Sequence, residues 1–214
     1  MSICYNSLVN NHQERKQTMS IRKIKNNKNN HLVLSEETKQ KIIEEYNQWK
    51  DYQYAGKDKK ARQAKGQFFT PPPLIFKMLE KFESITNKTF LDPTSGAGGL
   101  IAAAVIAGAT PNMCYGLELD NEILTVCKRR LAKLGVPPCN LLQGDALDST
   151  NYDRFVECKF STFAIVYKTT DNNIEIGVYT PKHKYKVVHI SKDKYKIKAI
   201  INKLKEKNIK IFKL

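Results

Sequence analysis

The sequence predicts an α/β chain, with a partial parallel sheet over its middle followed by a small β-meander plus helix. Three observations carry that expectation. Between residues 89 and 143, short apolar runs alternate with stretches of helical spacing in the order strand, helix, strand, helix, strand, the signature of a parallel sheet with right-handed crossovers. The first strand runs straight into a glycine-rich turn and a helix, Pro93-Thr-Ser-Gly-Ala-Gly-Gly99 followed by Leu100 to Ala109. After Asp148 the spacing changes to an alternation of two, which belongs to strands with unlike faces.

Residues 1–33 are polar, with Ile21-Arg-Lys-Ile-Lys, a run of Asn and Lys at 26–30 and no sustained periodicity, and are expected to form a flexible basic arm. A helix and charged linker are expected over 34–65. Ser35 ahead of Glu36 and Glu37 reads as an N-cap, Ile42, Ile43, Tyr46 and Trp49 recur at helical spacing, and Gly56 is the expected stop before the linker Lys57 to Lys65. The unit over 66–150 opens on a helix with Leu74, Ile75, Met78, Leu79 and Phe82 on one face, its prolines placed where no donor is lost. Thr89 to Asp92 is the first strand, and the Ala-rich helix after it, apolar on most sides, is expected to be buried. Met113 to Glu118 is the second strand. Asp120 or Asn121 caps the next helix, which carries Leu124, Cys127, Leu131 and Leu134 on one face, and Gly135-Val-Pro-Pro stops it ahead of a third strand, Asn140 to Gln143.

Residues 151–214 are expected to be a basic β-rich module. Strands are expected at 160–167, around Ile174, Ile176 and Val178, and around Tyr185, Val187 and His189. A helix with Ile197, Ile200, Ile201 and Leu204 comes next, capped by Ser191 or Asp193, and Ile209 to Phe212 gives a last strand.

With 214 residues, 41% of them hydrophobic, the chain has material for one substantial core and at most one small further module. Its formal charge of +15 is uneven: +7 over residues 1–65, −1 over 66–150 and +9 over 151–214. Basic flanks around a neutral middle are the pattern of a protein that holds a polyanion against a central site, while a Lys-rich sequence also simply solvates its surface. In the tail, Lys182, Lys184, Lys186, Lys192, Lys194, Lys196 and Lys198 are placed to track phosphates, with Tyr185 and Tyr195 interleaved to stack on bases. The five cysteines lack C-x-x-C spacing and the four histidines form no pair at helical spacing, so neither a disulfide framework nor a metal site is indicated. No apolar run reaches the roughly 20 residues of a membrane span. No charged head precedes an apolar block at the N-terminus, so an intracellular, cytoplasmic location is expected.

The strongest chemical signal is Asp92-Pro-Thr-Ser-Gly96-Ala-Gly98-Gly99. Glycines let the backbone pass close to a ligand, and the following helix aims its free amides at it. Glu118 ends the next strand, where a carboxylate can accept both hydroxyls of a ribose. Asp145 comes after the third strand, so three acids meet at the carboxyl edge of the sheet, the ligand crevice of open α/β sheets. A second block, Gly66-Gln-Phe-Phe-Thr70-Pro71, precedes the first helix of this unit and is placed to fold over the same crevice with two aromatic faces and a hydroxyl.

These blocks, with Gly116-Leu-Glu118-Leu-Asp120 and Gly144-Asp145-Ala-Leu and in this order, resemble the cofactor-binding half of adenine-specific DNA methyltransferases that use S-adenosylmethionine, including the modification subunits of restriction systems. The resemblance covers roughly residues 60–150. It implies a Rossmann-like methyltransferase sheet in which Phe68, Phe69 and Thr70 line the methionine end of the cofactor. It further implies that Asp92, Gly96 and Gly98 surround the amino-acid moiety, Glu118 holds the ribose and Asp145 contacts the adenine. DNA is the implied partner, reached through the basic flanks.

The family transfers its methyl group beside a D/N-P-P-Y/F block, in which the acid or amide and a backbone carbonyl hold the target amine while an aromatic ring stacks on a flipped base. Downstream of Asp145 there is no Pro-Pro, and the proline clusters at 71–73 and 137–138 come after Thr70 and Val136, so neither supplies the acid or amide. The catalytic residues are therefore unassigned. Three readings stand: a methyltransferase whose catalytic or target-recognition part is divergent or comes from a partner subunit, a non-catalytic cofactor-fold protein that binds nucleic acid or protein, and a truncated or rearranged gene.

Overall fold

A computed structural model describes residues 31–214, apart from residues 53, 55, 57, 66, 156–161, 170 and 181–183. Almost all of the expected basic arm, Gly66, Cys158 and Lys182 lie outside the described residues.

Helix α1 (Glu36–Trp49) starts where Ser35 accepts a hydrogen bond from the Thr38 amide. It stops at Trp49 rather than at Gly56, because Tyr52 N turns back to donate to Trp49 O at 2.9 Å. The expected linker holds a short helix, α2 (Lys59–Ala64), capped by Asp58, which accepts from Ala61 N at 2.8 Å. The Arg62 guanidinium lies 3.6 Å over the Tyr54 ring and ties that turn down. Helix α3 (Pro72–Leu79) carries prolines in its first turn and buries Ile75 and Leu79.

Strands β1 (Phe90–Asp92), β2 (Cys114–Glu118) and β3 (Leu141–Gln143) form a parallel sheet in the order β1-β2-β3. The register pairs Asp92 with Gly116 and Glu118 with Gln143, which brings the two acids to one edge. Helices α4 (Gly99–Ile106) and α5 (Asn121–Lys133) are the crossovers. Helix α4 is buried along Leu100 to Ala104, and its alanines let it sit close to β1 and β2. Asp120, one of the two expected caps, starts α5 by accepting from Glu122 N and Ile123 N. Ile75, Leu79, Ile101 and Leu131 are at most 1% exposed, and each such side chain contributes about 1.5–3 kcal/mol relative to exposure. On the opposite face of β2, Tyr115 meets Phe155 edge-on at 5.6 Å.

The remainder forms a second, mixed sheet in the order β6-β5-β4-β7. Strands β4 (Phe163–Lys168), β5 (Ile174–Thr180) and β6 (Lys184–Ser191) are an antiparallel meander, α6 (Lys194–Glu206) comes next with Asp193 as its cap, and β7 (Lys210–Lys213) returns parallel to β4. Strand β4 is buried on both faces. Phe163, Ile165 and Tyr167 cluster with Ala132 of α5, while Ala164 and Val166 cluster with Ile197 and Leu204 of α6. The whole is an α/β architecture with a three-stranded parallel sheet and a second mixed sheet, compatible with a Rossmann-like arrangement.

Tyr185 donates its hydroxyl to Glu175 at 3.0 Å and so is engaged within the second sheet, whereas Tyr195 is 87% exposed. Cys114 and Cys127 are free and buried, but Cys139 is disulfide-bonded, against the expectation from the scattered spacing. Among the described residues no helix is long and apolar enough to cross a membrane.

Candidate functional site

The carboxyl ends of β1, β2 and β3 open into a crevice of about 1040 Å³, at the upper end of the size of small-molecule sites. Its walls include Phe68, Phe69, Thr70, Gly96, Glu118 and Asp145, six of the eight residues singled out from sequence. Asp92 lies beside it, in a smaller cavity of about 100 Å³ shared with Phe68, Phe69, Thr70 and Gly96. Gly98 lines neither. It is the left-handed N-cap of α4, its amide donates to Ser95 O at 2.7 Å, and its α-carbon faces Leu131 and Cys127.

The turn after β1 is held in place by Glu118. One carboxylate oxygen accepts from Gly96 N at 2.9 Å and the other from Asp120 N at 2.8 Å. A carboxylate has about four lone-pair sites, so each oxygen keeps capacity for a ligand hydroxyl. Burial pushes the Glu118 carboxyl above its ordinary value, against the opposing pull of those two amides. Gly96 has φ +51°, and a Cβ there would meet Phe69 Cε1 at 2.9 Å. The absent side chain therefore lets the aromatic loop close down on the turn.

Asp92 is 7% exposed, and its Oδ1 accepts from Thr94 N at 3.1 Å. Burial raises its carboxyl from 3.8 to about 6, with the Thr94 bond opposing. Asp145 Oδ1 accepts from Leu147 N at 2.9 Å, and Leu147 itself is 94% exposed at the rim. Phe68 is also exposed, whereas Phe69 packs edge-on against Tyr54 at 4.6 Å and onto the cluster of Ala97, Ile123 and Val126.

Three contributors were not visible in the sequence. Lys65 Nζ and Gln67 Nε2 both reach Asp120 Oδ2, at 3.0 and 3.2 Å, and pin the aromatic loop to the start of α5 across 55 and 53 residues. Gln67 Oε1 is buried in the wall without a partner. Arg130, 2% exposed, donates through Nε and Nη2 to the two oxygens of Glu45 and through Nη1 to Ala97 O, so α1, α5 and the glycine-rich turn are tied together. Only the Gly-Gln-Phe-Phe-Thr-Pro block hinted at the first pair; nothing local in sequence marks the second.

Residues 52–136 match the family N-6 DNA Methylase. Modification methylase CviBIII of Paramecium bursaria Chlorella virus NC1A is 32% identical over 87 residues, 39% of this chain and 22% of that protein. Type II methyltransferase M.VspI of Vibrio sp. (strain 343) is 33% identical over 89 residues, 40% of this chain and 21% of that protein. The chain thus spans about one fifth of the length of these curated relatives. No solved structure gives a significant match. The matched stretch holds the aromatic loop, the glycine-rich turn and Glu118, and over that stretch this chain is adenine DNA methyltransferase-like.

Proposed function

We propose that the crevice binds S-adenosylmethionine, or its demethylated product, on a Rossmann-like half-sheet, and that the chain supplies the cofactor half of an adenine-specific DNA methyltransferase. The charge of the crevice carries this reading. A glycine-rich turn ahead of a helix also suits a dinucleotide, whose pyrophosphate seeks positive surroundings. Here Glu118, Asp120, Glu122 and Asp145 line the walls, and Lys65, the one cation among the described lining residues, is paired with Asp120. Such walls repel phosphates and favour a ligand that carries sulfonium and ammonium charges and a ribose. The unpartnered Gln67 Oε1 also fits a bound group with hydrogen-bond donors.

When bound, S-adenosylmethionine supplies an electrophilic methyl group. The chain's own part is binding and orientation. Glu118 accepts ribose hydroxyls with its spare lone pairs, Asp92 pairs with the ammonium, Phe68, Phe69 and Thr70 cover the methionine end, and Asp145 meets the adenine. DNA is the proposed substrate class, as the names of the relatives suggest, and the basic flanks are its proposed contact.

A second reading comes from the missing D/N-P-P-Y/F block: a cofactor-fold protein that binds nucleic acid or protein without transfer. Isothermal titration with S-adenosylmethionine, followed in the same sample by tritiated-methyl transfer to unmethylated DNA, separates the two. Binding with transfer identifies a methyltransferase with an unrecognised acceptor site. Binding without transfer identifies a subunit that needs a catalytic or target-recognition partner, or a non-catalytic relative. Absence of binding refutes the assignment of the crevice.

A further inference from the structure

A second cavity, of about 270 Å³, lies between the end of α1, the later half of α5 and the end of β4. It shares no lining residue with the crevice. Glu122, which lines the crevice, and Arg129 and Lys133, which line this cavity, lie seven and eleven residues apart on α5, or about 10–16 Å along the axis. Trp49, Tyr52 and Tyr167 supply its aromatic walls, with the Trp49 and Tyr52 rings edge-on at 6.0 Å and Tyr52 48% exposed. Arg129 and Lys133 are one helical turn apart and face the same space.

The cations already occupy the ring faces that a cationic ligand would need. Arg129 lies 5.3 Å over Tyr167, and Lys133 lies 5.6 Å over both Trp49 and Tyr185. Among the described residues neither cation pairs with a carboxylate, and no acid lines the cavity. Glu175, the cross-strand neighbour of Tyr167, is buried outside the lining and accepts the Tyr185 hydroxyl. Arg129 Nε is buried with no acceptor, a state that costs free energy until an acceptor arrives. Two cations with no direct carboxylate partner among the described residues, one with a buried unmet donor, and an adjoining exposed aromatic ring together define a site for a planar aromatic anion.

We propose that this cavity binds a nucleoside monophosphate unit. The phosphate meets Arg129 and Lys133, and the base stacks on the exposed ring of Tyr52, which neither cation covers. The volume lies at the lower edge of small-molecule sites, which suits a single nucleotide unit over a dinucleotide. The same unit occurs free in solution and within single-stranded DNA.

Trp49 is the single tryptophan of the chain and lines the cavity, and because it also packs on the Ile123 cluster beside the crevice, its fluorescence assigns binding to the cavity when S-adenosylmethionine is saturating. The full chain is titrated with thymidine 5′-monophosphate, with thymidine and with oligothymidylate, each with and without saturating S-adenosylmethionine. The expected result is a saturable quench by the phosphate-bearing probes, a weaker response to thymidine, and persistence of the quench when S-adenosylmethionine is present. Failure of cofactor binding at the crevice leaves this test intact, because the two titrations are read separately. Arg129→Gln and Lys133→Gln each weaken the quench roughly tenfold. Tyr52→Ala, at an exposed ring whose loss leaves the core untouched, also weakens it, so the proposal stays falsifiable if the Arg129 variant does not fold.

Tighter binding of oligothymidylate, per nucleotide, than of the monophosphate assigns the site to a DNA strand, and equal binding assigns it to the free nucleotide. Absence of a saturable quench by both phosphate-bearing probes overturns the proposal. So does a thymidine response equal to that of the monophosphate, or binding that is unchanged in the variants.

Discussion

Asp92→Asn is expected to make the ligand-free protein more stable at neutral pH, and by an amount that depends on pH in a defined way. The Asp92 carboxyl sits at about 6 in the folded protein, against 3.8 for an unburied aspartate, because burial penalises its charged form. Below 3.8 the group is protonated in both the folded and the unfolded chain and contributes no difference. As pH rises from 3.8 to 6 the unfolded chain releases the proton while the folded chain keeps it, so stability falls. Above 6 the loss is complete. A shift of that size corresponds to about 3 kcal/mol. Asparagine has the same shape and still accepts from Thr94 N, but it has no charge to bury. The difference between variant and wild type therefore grows from near zero at pH 3.5 to about 3 kcal/mol at pH 7. Urea melts of both proteins at half-unit pH intervals measure it, and the other titrating groups cancel in the difference. A difference that stays flat from pH 4 to 6.5, or a variant less stable than wild type at pH 7, would refute the reasoning.

The same carboxylate must be ionised to pair with the ligand's ammonium, so S-adenosylmethionine affinity is expected to fall as pH drops below about 6, and titration calorimetry across pH 5–7.5 that showed a constant affinity would count against Asp92 as that partner. Glu118→Ala removes both ribose acceptors and the brace on Gly96 N and Asp120 N, and should weaken binding about tenfold or more, measured by calorimetry with a thermal melt as control. Glu45→Ala leaves the Arg130 guanidinium buried without its carboxylate and should cost about 3–5 kcal/mol in a urea melt, part of which a further Arg130→Met change restores. DNA binding through the basic flanks should weaken about ten- to forty-fold between 50 and 200 mM salt if two to three phosphates are contacted, as read by fluorescence anisotropy, and salt-insensitive binding would exclude an electrostatic mode.

The elements that sequence made legible are those whose partners lie close in the chain. The helical face of α5, the caps Ser35 and Asp193, and the run from Asp92 through the glycines into α4 are local patterns that the structure keeps, whereas of the face expected for α3 only Ile75 and Leu79 are buried, Leu74 is 49% exposed and Phe82 lies past the helix end. Helix α2 was not legible because Lys-Lys-Ala-Arg-Gln-Ala has no apolar stripe; only its Asp58 cap marks it. Arg130 was not legible either. It sits next to Arg129 on a helix, where a pair of arginines reads as solvated surface, and its burial depends on a carboxylate 85 residues away in α1. The bond from Lys65 to Asp120 has the same character. In the tail, alternation gave the meander, but the return of β7 beside β4 is a long-range pairing with no local signature.

The match to the methylase family model ends at residue 136, and the parallel sheet ends at β3, a few residues later. The second sheet packs onto the methylase-like part, while a chain that spans about one fifth of its curated relatives also fits a truncated reading. Strand β4 buries Phe163 to Tyr167 on two sides at once, between Ala132 of α5 and the apolar face of α6, and the Tyr179 ring lies against the turn at Gly135. A run of five residues buried on both faces has to be apolar throughout, and the outer faces of β5 and α6 have to alternate in step with it. The tail is therefore fitted to the helix that closes the crevice, and α5 carries both loads: Asp120 and Ile123 at its start shape the crevice, while Arg129, Ala132 and Lys133 at its end carry the second sheet and the aromatic cavity. That division of one helix couples the crevice to the second sheet, so a change at the Ala132 contact is felt at both.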